Sequence, residues 1–212
     1  MSGVSAKICG LQDEIALEAA ILGGASYVGF VFFPPSRHAI KYDQAQKLAA
    51  RARDLSPQVQ RVGLFADAQD DEILQALRYV QLDLLQLHGH EPPQRIAQIK
   101  AMTGLGTIKA LRMMKPEHLD AIATYEEVSD LLLFDSRIGN EPSGGPSAWD
   151  LLKNRAFRKP WLLAGGLTAT NLEQAVRATG AGIVDVSSGV EDASGRKNPE
   201  KIKEFLALAA SF

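Results

Sequence analysis

Polar side chains end several short apolar runs of this chain, where a purely structural strand would carry branched apolar residues. Cys9, His88, Asp135 and Ser187 each stand at such an end. A thiol can act as a base if neighbouring positive groups lower its pKa toward neutral, and a carboxyl that ends an apolar run can keep a proton to donate. The pattern indicates that Cys9 and Asp135 are a candidate base and acid. The alternatives are a cysteine that acts as a small buried hydrophobe and an aspartate that caps a loop.

A second polar layer is expected two residues below those ends, because side chains alternate along a strand. Lys7 then shares a face with Cys9, and Asp185 shares a face with Ser187. The first and eighth strands become neighbours when a barrel closes, so we predict an ion pair between Lys7 and Asp185 that satisfies the interior. His88 has two interpretations, as a hydrogen-bonded structural residue or as a base.

Two glycine-rich turns in residues 161–191 indicate an anion site. Gly165 and Gly166 follow one apolar run and precede a helical pattern, and Ser187-Ser188-Gly189 ends the next run. A Gly-Gly after a strand is often only a tight turn, but bare amides beside a helix start favour phosphate. Two such turns in succession favour it further, since a (β/α)8 barrel commonly binds phosphate after its seventh and eighth strands. The residues that can cap the intervening helix are Thr168, Thr170 and Asn171.

Arg37 and a long loop are the remaining candidates. Arg37 lies in a Pro-Pro-Ser-Arg turn, where its guanidinium could bind a carboxylate with two parallel hydrogen bonds or could be a solvated surface group. The loop 136–147 is rich in Gly, Pro and Ser. That composition is typical of a mobile lid or of a disordered connection.

Short β-branched or leucine-rich runs alternate with patterns of helical period along the whole chain. Eight strand-helix units predict one α/β domain over residues 1–212, a (β/α)8 TIM barrel of parallel strands with its active site at the C-terminal face. The alternative is an open doubly wound sheet, which usually has five or six strands. The predicted strands are 6–10, 27–32, 61–66, 84–89, 106–112, 131–135 and those that begin at 161 and 183. The predicted helices are 12–23, 42–54, 70–80, 92–102, 116–125, 148–155, one near 168 and 198–210.

Composition limits the partners. The formal net charge is −2 and Lys and Arg are spread along the chain, so a small soluble ligand is favoured over nucleic acid or an anionic membrane. The single cysteine excludes an internal disulfide and a cysteine-based metal cluster, and it suits a reducing cytoplasm. There is no run of about 18 apolar residues and no secretion pattern, which predicts neither a membrane span nor export.

Seven segments resemble the phosphoribosylanthranilate isomerase family of tryptophan biosynthesis, and they occur in the family's order from one end of the chain to the other. The segments are Lys7-Ile-Cys-Gly10, Gly29-Phe-Val-Phe-Phe-Pro-Pro-Ser-Arg37, Val62-Gly-Leu-Phe65, Gln86-Leu-His-Gly89, Leu132-Leu-Phe-Asp-Ser136, Leu163-Ala-Gly-Gly-Leu167 with Asn171, and Asp185-Val-Ser-Ser-Gly-Val-Glu191.

The resemblance implies an Amadori rearrangement of N-(5-phosphoribosyl)anthranilate that needs no metal or organic cofactor. It implies that Cys9 is the general base, Asp135 the general acid and Arg37 the ligand of the anthranilate carboxylate. It also implies that the phosphate is bound at Gly165-Gly166 and at Ser187-Ser188-Gly189. Lys7, His88 and Asp185 are expected to support the site. A monomer and a homodimer are both compatible with the sequence.

The chain departs from the family pattern at two places. His38 stands where a second arginine is common, and Pro146 interrupts the usual glycine-rich lid, removing an amide donor and stiffening the turn. Two other functions remain as alternatives. A sugar-phosphate epimerase would need a set of metal-binding His and Asp residues at the strand ends. Of the four histidines in the chain, only His88 is well placed at a strand end. A non-catalytic sensor of a phosphorylated metabolite would have no reason to place both Cys9 and Asp135 at the mouth.

Overall fold

The computed structural model describes residues 3–113, 115–136 and 149–212. Its parallel strands close into one barrel in chain order, and the last strand pairs with the first. The strands are β1 Ser5–Cys9, β2 Tyr27–Val31, β3 Gln60–Phe65, β4 Leu84–Leu87, β5 Gly106–Arg112, β6 Leu131–Asp135, β7 Trp161–Ala164 and β8 Ile183–Val186. The predicted TIM barrel is therefore confirmed over the open sheet.

Helices follow the strands and bury their apolar faces against the outside of the barrel. Those in the described residues are α1 Glu14–Leu22, α2 Tyr42–Leu55, α3 Asp70–Tyr79, α4 Pro93–Thr103, α5 Ile122–Val128, α6 Leu172–Thr179 and α7 Pro199–Ala210. Asn198 caps α7, because its side-chain oxygen accepts hydrogen bonds from the amides of Glu200 and Lys201. Across the three described ranges, no helix has the length and apolar character needed to cross a membrane.

Two predicted helices differ from the structure. The pattern at 116–125 divides into a 3₁₀ turn, Pro116–Leu119, and the short helix α5, because the Asp120 amide bonds back three residues to Glu117 instead of four. The helix predicted at 148–155 begins outside the described residues; residues 149–150 are helical and 151–154 form turns. The predicted lid 136–147 lies outside the described residues except for Ser136.

Two apolar clusters lie on the two faces of the strands, as the alternation of side chains along a strand predicts. Ile8, Leu87, Phe134 and Val186 belong to the large cluster between strands and helices. The small cluster fills the barrel interior and consists of Val62, Ile108, Ala110, Leu133, Leu162 and Ala164. Because the interior is packed at this level, the polar residues two positions further along the strands lie in the mouth above it.

Candidate active site

A cavity of about 380 Å³ opens at the C-terminal ends of the strands. It is lined by residues from the ends of all eight strands or from the turns that follow them, which is the usual place for a barrel's active site. The sequence-predicted residues that line it are Cys9, His88, Asp135, Gly165, Gly166, Asp185, Ser187, Ser188 and Gly189. Lys7 lies fully buried below the mouth. Arg37 is not among the lining residues, although its neighbour His38 is.

Cys9 ends β1 and is buried. Its partner across the sheet is Gly29, where a Cβ atom would lie only 2.9 Å from the Cys9 Sγ atom, so the glycine makes room for the thiol. Burial raises the pKa of the Cys9 thiol, and the nearby Lys7 and Lys197 ammonium groups offset only part of that rise. The sequence left open whether neighbouring positive groups lower this pKa; such groups are present, but burial outweighs them. At neutral pH the resting thiol is protonated.

The ion pair predicted below the mouth is present. Lys7 Nζ donates to Asp185 Oδ1 at 2.8 Å, and the two residues are register partners in β1 and β8. Burial alone would lower the pKa of Lys7, but Asp185 and Cys9 outweigh it and the pKa is raised. Lys7 therefore stays charged beside the thiol.

Asp185→Asn is expected to lower the free energy of unfolding by about 3–5 kcal/mol, because it leaves a fully buried ammonium without its counter-charge. Urea unfolding followed by circular dichroism measures the loss. The matched control is Asp54→Asn, since Asp54 pairs with Arg53 on the surface of α2 and a pair of that kind is worth less than about 1 kcal/mol. Equal losses in the two variants would contradict the structural role of the buried pair.

A polar chain leads from the interior to Asp135. Gln86 Nε2 contacts His88 Nδ1 at 2.8 Å, and His88 Nε2 lies 3.5 Å from Asp135 Oδ2. Because Nδ1 faces the Gln86 amide, Nε2 is the ring nitrogen that faces the Asp135 carboxyl group. The hydrogen-bonded arrangement that was one interpretation of His88 is thus present, and it holds His88 against Asp135.

The two glycine-rich turns pack backbone against backbone. Gly165 and Gly166 have φ angles of 100° and 66°, a region that favours glycine. At Gly189 a Cβ atom would lie 1.8 Å from the carbonyl oxygen of Leu167, so this position admits no side chain without a shift of one turn. Residues of both turns line the same cavity.

Asn171 corrects one expectation about the first turn. It occupies the N-cap position of α6, but its side chain makes no capping bond to the helix. Its Oδ1 accepts from the Thr168 amide at 2.8 Å and its Nδ2 donates to the Gly166 carbonyl at 2.9 Å. Both partners precede Asn171 in the sequence, so its side chain stabilises the glycine turn and not the helix.

Three charged residues at or behind the mouth had no role in the sequence interpretation. Arg112 ends β5 beside Asp135 and lines the cavity. Side chains alternate along a strand, so Arg112 lies on the same interior face as Ala110, and this spacing could have indicated its position. Glu191 and Lys197 form a buried pair, Nζ to Oε1, at 2.7 Å. No sequence spacing signals that pair, because it depends on how the loop after β8 folds back into a bridge between these two residues.

Comparisons with known proteins agree along the whole barrel. A family model described as N-(5'phosphoribosyl)anthranilate (PRA) isomerase matches residues 6–207. The N-(5'-phosphoribosyl)anthranilate isomerase of Paracoccus denitrificans is 46% identical over 213 residues and covers 98% of each chain. The crystal structure of phosphoribosyl anthranilate isomerase from Thermotoga maritima superimposes with a TM-score of 0.88 at 32% identity, covering 99% of this chain and 100% of that one. A solved isomerase in complex with reduced 1-(o-carboxyphenylamino)-1-deoxyribulose 5-phosphate gives a TM-score of 0.81 at 32% identity, with the same coverage.

Proposed function

Because the chain belongs to the N-(5'-phosphoribosyl)anthranilate isomerase family, we propose that its barrel mouth rearranges phosphoribosylanthranilate with Cys9 as general base and Asp135 as general acid. The product is 1-(2-carboxyphenylamino)-1-deoxyribulose 5-phosphate, and the step belongs to tryptophan biosynthesis. The observation that carries the assignment of roles is that Cys9 and Asp135 line one cavity together with both glycine-rich turns. Neither a sugar-phosphate epimerase nor a non-catalytic sensor is supported by the family match.

Ring opening is the first step. Asp135 donates a proton to the ribose ring oxygen, the bond between C1 and that oxygen breaks, and the nitrogen lone pair forms an iminium with C1. His88 stands 3.5 Å from the Asp135 carboxyl oxygen and holds it toward the substrate. The carboxylate left behind is accessible for reprotonation, since one fifth of the Asp135 side chain is exposed.

Proton removal from C2 of the sugar is the second step. The Cys9 thiolate takes that proton, the electron pair neutralises the iminium, and the resulting enolamine tautomerises to the ketone. The thiolate is a minor species at neutral pH because burial raises the Cys9 pKa, and the adjacent Lys7 ammonium stabilises it when it forms. A reducing compartment suits this site, since an oxidised cysteine could not act as a base.

The substrate is held in place through its two anionic groups, the phosphate and the carboxylate. The phosphate is bound by the bare amides of the turns at Gly165-Gly166 and Ser187-Ser188-Gly189. The anthranilate carboxylate is bound by Arg37 at the rim, next to His38 of the cavity wall. The Arg37 side chain is 61% exposed, so a guanidinium edge remains open to a carboxylate while Glu191 holds the group from behind.

Gly189→Ala tests the phosphate turns. The new methyl group would meet the Leu167 carbonyl oxygen and force the two turns apart, and the loss of one charge-assisted hydrogen bond raises KM by about 10–100-fold. Steady-state rates at varied substrate measure the effect. Gly182→Ala is the matched control, because no atom lies within 4 Å of a Cβ there. A KM that stays at the wild-type value in Gly189→Ala would contradict the assignment of this turn.

Complementation tests the activity itself. Expression of the chain in a bacterial strain that lacks its own phosphoribosylanthranilate isomerase should restore growth without tryptophan. Cys9→Ala and Asp135→Asn, expressed at equal levels, should not restore it. A wild-type protein that accumulates in folded form and still fails to support growth would contradict the proposal.

A further inference from the structure

The two proposed anion sites are joined behind the mouth by a series of contacts that runs through two buried charged side chains, Glu191 and Lys197. We call this group the Glu191 cluster; it consists of Arg37, Ser187, Glu191 and Lys197. Arg37 Nη2 donates to Glu191 Oε2 at 2.5 Å, and Lys197 Nζ donates to Glu191 Oε1 at 2.7 Å. Lys197 Nζ also donates to the carbonyl and the hydroxyl oxygens of Ser187, each at 3.1 Å. An unbroken chain of contacts therefore connects the carboxylate site to the phosphate turn.

Burial makes this arrangement rigid. The Glu191 and Lys197 side chains are 4% and 3% exposed, so neither charge can turn toward water without losing a buried partner. The main-chain oxygen of Glu191 accepts a further hydrogen bond from Lys201 Nζ at 2.7 Å, which ties the loop to α7. Arg37 is the one charged member of the cluster that reaches into solvent, so its orientation depends on the contact with Glu191.

The loop after β8 also supports the Arg37 guanidinium from one side. Gly195 has a φ angle of 79°, and a Cβ atom there would lie 3.2 Å from Arg37 Nη1. The guanidinium thus lies over bare backbone while Glu191 holds another of its nitrogens. His38, whose Nε2 atom is 3.4 Å from Glu191 Oε1, stands beside the same carboxylate.

We propose that Glu191 is a positioning residue that orients Arg37 toward the substrate carboxylate and, through Lys197, keeps that site in register with the phosphate turn. The inference rests on the proposed role of Arg37. Its consequence is that removal of the Glu191 charge weakens binding of the carboxylate end of a ligand and spares the phosphate end. A merely structural residue would weaken both ends alike.

Glu191→Gln tests this with two ligands. The amide oxygen can still accept from Lys197, but the charge that holds Arg37 is gone. The first ligand is reduced 1-(o-carboxyphenylamino)-1-deoxyribulose 5-phosphate, and the second is its phenylamino counterpart without the carboxylate. Calorimetric titration should show the Kd of the first ligand rising by at least about tenfold, and that of the second by less than about threefold. Glu18→Gln, which breaks a Glu–Arg pair between the outer helices α1 and α2, should change neither Kd.

Arg37→Ala separates the two proposals. It should also weaken the carboxylated ligand selectively, and Glu191→Gln should add no further selectivity in the Arg37→Ala background. If Arg37→Ala weakens both ligands equally, the proposed role of Arg37 fails. If Arg37→Ala is selective but a folded Glu191→Gln protein weakens both ligands equally, or neither, the positioning role of Glu191 is overturned.

Discussion

Replacement of Cys9 by alanine is expected to lower kcat/KM by at least about a hundredfold, the usual scale for a lost general base. The methyl group of alanine cannot take the C2 proton, and no other side chain at the end of β1 can substitute for it. Initial rates of the loss of anthranilate-type fluorescence measure the change. The variant should still bind the reduced product analogue with a Kd within about threefold of wild type, because Cys9 contributes to neither proposed anion site.

The pH dependence of the wild type provides the control for this prediction. A raised pKa means that the protonated thiol predominates at neutral pH and that the thiolate fraction grows as the pH rises. The ultraviolet absorbance of the thiolate should therefore appear only above the pH at which an ordinary cysteine is half ionised. Cys9→Ala should lack this absorbance change, because Cys9 is the single cysteine of the chain. A variant that keeps more than about one tenth of the wild-type rate would show that Cys9 is not the base.

Asp135→Asn is expected to have an effect of the same size, at least about a hundredfold on kcat/KM. Asparagine has nearly the same shape and can occupy the same place at the end of β6, but it carries no proton acidic enough to open the ribose ring. The contact from His88 remains possible, so the lost function is proton donation and not the local packing. The same fluorescence assay measures the rate.

Circular dichroism and binding of the reduced product analogue check that Asp135→Asn is folded and that its site is intact. Stability close to wild type is expected, because Asp135 lies at the open mouth and not in the packed interior. Near-normal turnover by this variant would assign the acid role to another group, and His88, whose Nε2 atom lies 3.5 Å from the Asp135 carboxyl, is the candidate.

The barrel and the polar layer of its mouth were predictable because both follow from local periodicity. Strand-helix alternation occurs eight times, and a period of two along each strand predicts that Lys7 of β1 and Asp185 of β8 both face the barrel interior. Strands β5 and β6 agree with their predicted bounds, and the other strands whose bounds were predicted differ by two residues at most. The prediction of one helix at 116–125 was wrong, because an apolar pattern does not distinguish hydrogen bonds to the residue three positions back from those to the residue four positions back.

The remaining features depend on tertiary contacts that the spacing of residues in the sequence does not predict. The direction of the Cys9 pKa shift was not predictable, since burial and the position of Asp185 both contribute to it. Asn171 matched a capping signal, yet its side chain bonds to the preceding turn. Glu191 and Lys197 lie in a loop, and their role is visible only after that loop has folded against Arg37 and Ser187.

The most direct test of the acid and base assignment is a single-turnover experiment with enzyme in excess over freshly generated phosphoribosylanthranilate. Under these conditions product release cannot hide the chemical steps. Wild type should consume the substrate in one exponential phase, and Cys9→Ala and Asp135→Asn should each be at least about a hundredfold slower while binding the reduced product analogue normally. A folded wild type that leaves the substrate fluorescence unchanged, or either variant reacting within about tenfold of wild type, would contradict the account.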